Sequence, residues 1–420
     1  MTHIDGRDEC PADIQYALDS RNPHFMAKIF DTYRVTRRAS PVSYVKDLGL
    51  WVVTGRDEVV AILKNNQEFS TERNFDSDHE LTAECVAVLR GSHYFTPALL
   101  AMDPPEHTAL RTVLARRFTA SAMNELEPTL TELIDSLIDE FAGQETADLV
   151  ESLSRPLPMR VIGDLMGVPT EDHARIKAWH DQWMALLVVP LSGAEQVLCA
   201  QALVEYDAYY RSLLMTRTAD PKNDIASLLA RAASEGTCTL SQAVAALRFL
   251  LAAGHETAMS SIANILHALL AHPEQWRRLV ADPRLVDVTV EEGLRYDAGA
   301  QGTTRYAVRD THWGDVRIPA GARIHVMTGA PGRDPAWVGG ADSFDIGRTD
   351  AHRHHAFGYG IHFCLGAPLA RLEARLVLRR LIARYPDMTL HQGFEPVYLP
   401  GGYMLRSLKK LTVTLGGSRE

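Results

Sequence analysis

A single cysteine, Cys364, closes the run Phe357-Gly358-Tyr359-Gly360-Ile361-His362-Phe363-Cys364-Leu365-Gly366. Glycines bend the chain ahead of it, and a strongly helical pattern starts just after it. Leu369, Leu372, Leu376 and Ile382 recur at helical spacing, and Pro368 suits a first turn. A thiolate in that place is favoured by the positive end of the helix dipole and by amides that the helix leaves unpaired. Such a sulfur can ligate a metal or attack an electrophile. A zinc site would draw on His352, His354, His355, His362 and Cys364, but no CxxC or HxxxH spacing supports one. A nucleophile would need a base and an oxyanion hole that nothing nearby specifies. A dinucleotide-binding loop would need a third glycine and a preceding strand.

Three further constellations accompany the cysteine. Ala253-Gly254-His255-Glu256-Thr257 lies in the middle of the longest apolar helix pattern, near Leu247 to Leu270. A carboxylate and a hydroxyl there are costly unless satisfied, and the glycine costs about 1 kcal/mol against alanine. The bland reading is a polar patch facing another element. Glu292-Gly293-Leu294-Arg295 places opposite charges at i, i+3, which on a surface is an ion pair worth less than about 1 kcal/mol. His107-x-x-x-Arg111 follows Asp103-Pro104-Pro105-Glu106, so prolines open a helix that points both cations to one face.

In this order and at these separations, the motifs resemble those of the cytochrome P-450 family, over about Val42 to Val413. The resemblance implies haem b ligated by the Cys364 thiolate, a ligand that favours O–O cleavage. It implies that Phe357, Gly360 and Gly366 surround the sulfur, and that the small Ala253 and Gly254 leave room over the iron. Thr257 and Glu256 would be the acid–alcohol pair beside bound dioxygen, where general acid assistance is typically worth about 10²–10⁴ in rate. His107, Arg111, Arg305 and His362 would donate to the propionates, each charge-assisted bond being worth roughly 1.5–3 kcal/mol; His354 is a further candidate. Glu292 and Arg295, with Arg348 as third member, would fix the core around the cofactor. Two stretches depart from the family pattern. Tyr296 to Gly302 lacks a proline, and Pro331-Gly332-Arg333-Asp334-Pro335 replaces an Ala-Asn before Arg-Asp-Pro. Gly299 and Gly302 therefore predict a flexible or unusually wide pocket wall.

The implied activity is insertion of one oxygen atom from O2 into a C–H bond or across a C=C bond of a small molecule. The implied substrate is a secondary metabolite, free or tethered to a carrier. Oxidative coupling or desaturation would use the same motifs. A peroxide-driven enzyme or a non-catalytic haem sensor would have little use for Glu256 and Thr257, and a zinc-binding structural protein would be colourless. No flavin or nicotinamide segment is visible, so ferredoxin and ferredoxin reductase are the expected electron donors. Arg371, Arg375 and Arg379, with Arg116 and Arg117, form a candidate docking patch for such an acidic partner. Pocket candidates are Phe95, Leu99, Leu100, Trp179, Trp183, Met184 and the stretch from Ala298 to Thr303.

The elements that must position these groups fit a mainly α fold with small β-sheets. The chain has 420 residues, 46% of them hydrophobic, and a formal charge of −10 that argues against nucleic acid or anionic membrane as partner. Five scattered cysteines and a polar start predict a reducing cytoplasm and no membrane anchor; a monomer is expected. Residues 1–20 lack periodicity and are expected to be loosely ordered. Val42 to Thr54 reads as a hairpin around Asp47 to Gly49, followed by a short helix. Residues 70–100 are turn-rich, a candidate mobile loop. Helical patterns then run from Pro105 to about His272, with breaks near Gly167, Pro190 and Asp220, and another helix covers Val288 to Tyr296. Strand-like runs with turns at Gly314 and Pro319 fill Thr303 to Val326, and a short β-rich tail ends the chain. Sheets fed by both chain ends predict one interlocked domain over 1–420. The P-450 fold implies haem buried between the long central helix and the cysteine-loop helix.

Overall fold

The computed structural model describes residues 12–22, 24–313 and 316–417. The expectations for residues 1–11 and for the Gly314 turn fall outside the described residues. In chain order the first elements are α1 (Ala12–Ala17), α2 (Ile29–Ala39), β1 (Val42–Val45), β2 (Leu50–Val53), α3 (Arg56–Lys64), β3 (Phe69–Ser70), α4 (Ala83–Leu89) and α5 (Glu106–Ala115). Next come α6 (Ala120–Asp139), β4 (Thr146–Asp148), α7 (Pro156–Met166), α8 (His173–Val188), α9 (Gly193–Ala219), α10 (Ile225–Ser234) and α11 (Leu240–Ala271). The remainder holds α12 (Pro273–Ala281), α13 (Val286–Tyr296), β5 (Thr303–Ala307), β6 (Thr311–Trp313), β7 (Val316–Ile318), β8 (Arg323–Val326), α14 (Ala367–Arg384), β9 (Thr389–Leu390) and β10 (Thr412–Thr414). The chain forms two compact units. One comprises Met1–Ser70, Met123–Leu157 and Thr257–Glu420, the other Thr71–Ala122 and Pro158–Glu256. The boundary between Glu256 and Thr257 falls inside the unbroken α11.

The first unit holds the sheets. Its main sheet has the order β1-β2-β8-β5-β3, so strands near residue 50 pair with strands beyond residue 300. The predicted hairpin is β1–β2 in register Val42↔Val53, turned by Gly49 at φ 64°. The run Leu-Trp-Val-Val of β2 is apolar without interruption because both of its faces are covered. Leu50 and Val52 join Ile14, Leu18, Ile29 and Tyr33, whereas Trp51 and Val53 join Val59, Ile62 and Ile324. Ile14 and Leu18 are thus core residues, and loose ordering does not extend to residues 12–20. A hydrophobic core can anchor a segment that shows little periodicity of its own.

The two glycines of the departing stretch are close-packed, which corrects the expectation of a wide, flexible wall. A β-carbon on Gly299 would lie 2.6 Å from the Ser261 amide nitrogen of α11, and one on Gly302 would lie 2.9 Å from the Tyr403 carbonyl oxygen. Gly332, in the second departure, would meet the Arg295 carbonyl oxygen at 2.6 Å. These glycines let backbone approach backbone, a demand of packing.

The second unit is helical. The predicted helix breaks fall where α7, α8 and α9 end, and Ser192 with Glu195 forms a capping box at the start of α9. Residues 71–100 are anchored there at several points. Thr82 caps α4, and its own amide donates to Gln196 Oε1 at 2.9 Å. The Asp78 amide donates to the Leu187 carbonyl, and the His93 amide donates to Asp207 at 2.6 Å. Asp207 also accepts both bonds of a buried ion pair with Arg248, at 2.7 and 2.8 Å. The turn-rich composition reflects many short anchors where a mobile loop was expected. Phe95, expected in the pocket, is mostly exposed, and Trp183 is core, packed on Phe75 and beneath Arg248.

Replacing Gly299→Ala should destabilise the protein by about 1–3 kcal/mol, since the methyl has only backbone and a fixed helix to push against. Denaturant midpoints would measure this; an unchanged midpoint would mean the segment yields easily.

Candidate active site

The cysteine loop is built from left-handed glycines and short backbone bonds. Gly358 and Gly360 both lie at φ 74°. A β-carbon on Gly360 would fall 2.4 Å from the Leu63 carbonyl oxygen at the end of α3, so this position excludes other residues twice over. The Cys364 amide donates to the Phe357 carbonyl at 2.8 Å, which closes the loop and presents the side chain at the start of α14. Pro368 sits in the first turn of α14, where its missing N–H costs nothing. Cys364 is exposed, whereas Cys85, Cys199 and Cys238 are buried. Gly366 lies beside the sulfur, where a β-carbon would make ordinary contact with Sγ at 3.9 Å.

Phe357 is held by groups that the sequence did not connect. The Arg371 guanidinium lies 4.5 Å over its ring, and Phe363 and His354 meet its edge. Arg371 makes a bidentate pair with Glu291 of α13 at 2.6 and 3.0 Å, and His354 Nε2 approaches the same carboxylate at 3.1 Å. Burial opposes ionisation of Glu291, but the bonds from His354 and Arg371 outweigh it and hold the group at about 2. His354 therefore serves this carboxylate. The arginine row of α14 is likewise committed to carboxylates: Arg375 lies 3.5 Å from Asp287 and Arg379 3.8 Å from Glu127. Each arginine of the candidate docking row on α14 thus has a carboxylate partner within 3.8 Å while its side chain stays partly exposed, because helical spacing fixes a face but not its neighbours.

The next residue of α13, Glu292, anchors a buried cluster. Glu292 and Arg295 are fully buried and joined by bonds of 2.6 and 2.8 Å. Arg295 spends its remaining donors on the carbonyls of Gly332, Ala341 and Ser343. Arg348 Nε lies 3.3 Å from Glu292, and the Asp345 amide donates to it at 2.9 Å.

The other predicted residues divide between the units. In the first, Arg305 is buried on β5 with Nη1 donating to the Thr304 carbonyl at 2.7 Å, and His362 is half-buried in the cysteine loop. Thr257 opens the part of α11 that belongs to this unit, and its carbonyl accepts from Ser261 Oγ at 2.8 Å. In the second unit, His107 is buried and Arg111 half-buried one turn apart on α5. Ala253, Gly254 and Glu256 lie on α11. A β-carbon on Gly254 would meet the Ile162 side chain at 2.9 Å, so this glycine serves the packing of α11 on α7, which corrects its assignment as open room. The histidines near Cys364 form no group of three metal ligands among the described residues.

The comparisons with known proteins agree with this geometry. The cytochrome P450 family model matches residues 199–409. The chain is 37% identical to cytochrome P450 monooxygenase PikC of Streptomyces venezuelae over 96% of its length and 95% of that protein. It is 38% identical to vitamin D(3) 25-hydroxylase of Pseudonocardia autotrophica over 76% of its length and 78% of that protein. Among solved structures, cytochrome P450 CREJ in complex with (4-ethylphenyl) dihydrogen phosphate superposes with a TM-score of 0.85 at 30% identity, covering 95% of this chain and 98% of that one. The chain belongs to the cytochrome P450 family, with its mainly α fold, and is a monooxygenase that uses haem b. No helix among the described residues is long and apolar enough to cross a membrane.

The residues present fit that cofactor. An exposed thiol at a helix start, with glycine beside the sulfur, suits an axial ligand.

Sequence reading missed Glu373, which is buried on α14 with Oε2 lacking any hydrogen-bond partner. Burial pushes its carboxyl up to about 8. The folded state then holds this proton more tightly than the unfolded chain. Stability therefore falls as pH rises from the ordinary carboxylate range to about 8, by at most on the order of 1.4 kcal/mol per pH unit. Glu373→Gln should match the wild type near about pH 5 and exceed it near about pH 9. Thermal midpoints at both pH values decide this, and parallel curves would show that the carboxyl is ionised in the native protein.

Proposed function

We propose that this chain is a single-domain haem-thiolate monooxygenase that tailors a polyketide or similar secondary metabolite, with electrons from a ferredoxin and its reductase. The observation that carries the reading is Cys364, exposed at the start of α14 on a left-handed glycine loop, in one chain with Glu256-Thr257 on an unbroken α11. When bound, haem supplies the activation of O2 through which one oxygen atom enters a C–H or C=C bond and the other leaves as water. Cys364 Sγ would ligate the iron as a thiolate, and the bond from the Cys364 amide to the Phe357 carbonyl holds the loop that carries it. Phe357 shields the sulfur and is itself held by Arg371. Gly360 lets the loop pass close to the Leu63 carbonyl, and Gly366 lies beside the sulfur. His107, Arg111, Arg305 and His362 would hold the haem propionates. Thr257 Oγ1 and the Glu256 carboxylate hold and pass the proton that the reaction consumes, while Ala253 keeps that stretch of α11 narrow. Glu292, Arg295 and Arg348 keep the loops around residues 332–348 in place.

The substrate class rests on relatives. PikC shares 37% identity, and a polyketide biosynthesis cytochrome P450, PksS of Bacillus subtilis, shares 31% over 87% of this chain. P450BioI, solved with an acyl carrier protein bearing hexadec-9Z-enoic acid, superposes with a TM-score of 0.83, which supports a carrier-tethered substrate as one form.

Titrating the ferric protein with macrolactones and carrier-bound acyl chains should shift the haem spectrum from low to high spin for the true class. Thr257→Ala should keep the haem spectrum but lower product formed per reductant consumed by about 100-fold. Product formation at the wild-type ratio would overturn the proton role of Thr257. Cys364→Ala should abolish the thiolate signature of the reduced carbon monoxide complex, and its persistence would overturn the ligand assignment.

A further inference from the structure

A histidine of α8 is sealed in the second unit with nothing to bond. His180 is wholly buried, and neither Nδ1 nor Nε2 has a hydrogen-bond partner. Its ring meets the edge of Trp183, with centroids 5.9 Å apart. A buried polar group left unsatisfied costs about 1–3 kcal/mol, so an imidazole with two idle nitrogens calls for a ligand. Burial drives its pKa down to about 3, and Lys177 and His255 push in the same direction. The ring is therefore neutral and offers the lone pair that a metal requires. Two carboxylates stand beside it. One ligand atom each from His180, Asp181 and Glu256 lie within 4.8 Å of one another.

We propose that His180, Asp181 and Glu256 form a binding site for a divalent transition metal of the zinc type. One imidazole nitrogen and two carboxylate oxygens make a borderline N/O set, which suits zinc better than magnesium or calcium. Metal bonds of about 2.0–2.2 Å in a tetrahedron set ligand atoms roughly 3.4 Å apart. The observed spacing closes to that by turning Asp181, which is half exposed. The two carboxylates balance the dication, and three protein ligands leave a fourth position for water. Asp181 now pairs with Lys177 on the same helix. The metal takes over that charge, and the lysine, itself partly exposed, swings to solvent.

The consequence for turnover rests on the proton role given to Glu256 above. A carboxylate bound to zinc cannot carry a proton, so occupancy of this site switches off delivery to Thr257. Zinc would then act as a reversible inhibitor without touching the cysteine ligand.

The test measures zinc bound by the chelator-treated holoprotein in equilibrium dialysis against micromolar free zinc, with metal content read by mass spectrometry. The wild type should take up one zinc per chain, and His180→Leu and Asp181→Asn should each bind it at least about tenfold more weakly. Asp181 is exposed, so its variant keeps the fold in place should the His180 variant lose it. No uptake by the wild type, or unchanged affinity in Asp181→Asn, would overturn the site. Turnover assayed in parallel should fall as zinc binds. Zinc bound with turnover unchanged would leave the site standing and overturn the relay assigned to Glu256.

Discussion

The first unit depends on two adjacent carboxylates of α13 that face different neighbours. Glu292 is fully buried, and its charge survives there because Arg295 and Arg348 and the Asp345 amide converge on it. A buried ion pair is not a gain over a well-packed apolar pair, since desolvation consumes most of the attraction. Its use is specificity of position. Arg295 reaches three carbonyls between residues 332 and 343, and those bonds exist only while Glu292 holds the guanidinium. Glu291, one residue earlier, does the same for the other side of the site. It fixes Arg371 of α14 and His354, and through them the Phe357 ring. One turn of helix thus ties the loop that follows the main sheet to the loop that carries the cysteine.

The geometry of the cysteine loop could be read from the sequence because its constraints are local. Left-handed backbone selects glycine at residues 358 and 360, and the proline after Cys364 marks a helix start. The hairpin of β1 and β2 was readable for the same reason. Residues 71–100 were not, because their anchors are distant in sequence. His93 meets Asp207 and Thr82 meets Gln196, each more than a hundred residues away. Turn-forming composition looks alike whether a loop swings freely or is pinned at intervals. The α14 arginines show the same limit from the opposite side. Their spacing placed them on one face, but Glu291, Asp287 and Glu127 come from elements that the pattern does not name.

Glu373 was open to inference and passed over. It stands four residues after Leu369 and four before Val377, in the row of buried apolar positions on α14. A carboxylate in such a row is either paired or protonated. The structure offers Oε2 no partner, so protonation is the outcome. His180 follows the same logic on α8, where Ile176, Trp183 and Leu187 surround its position in the helical pattern.

The glycine departures separate packing from selectivity. Where family pattern and sequence disagree, between residues 296 and 302 and near residue 332, the odd residues turn out to answer steric contacts with α11, with Tyr403 and with Arg295. A wall made of glycine against backbone has no side chain with which to choose a substrate. In the second unit Phe75, Trp183 and Phe249 form an aromatic cluster, with rings 5.6 Å apart in successive pairs about Phe75. Trp183 is pinned by Arg248, and Arg248 by Asp207, so the cluster's shape is set by a buried ion pair. The Phe357 ring beside the cysteine and this aromatic cluster are thus each steadied by an arginine–carboxylate pair of their own.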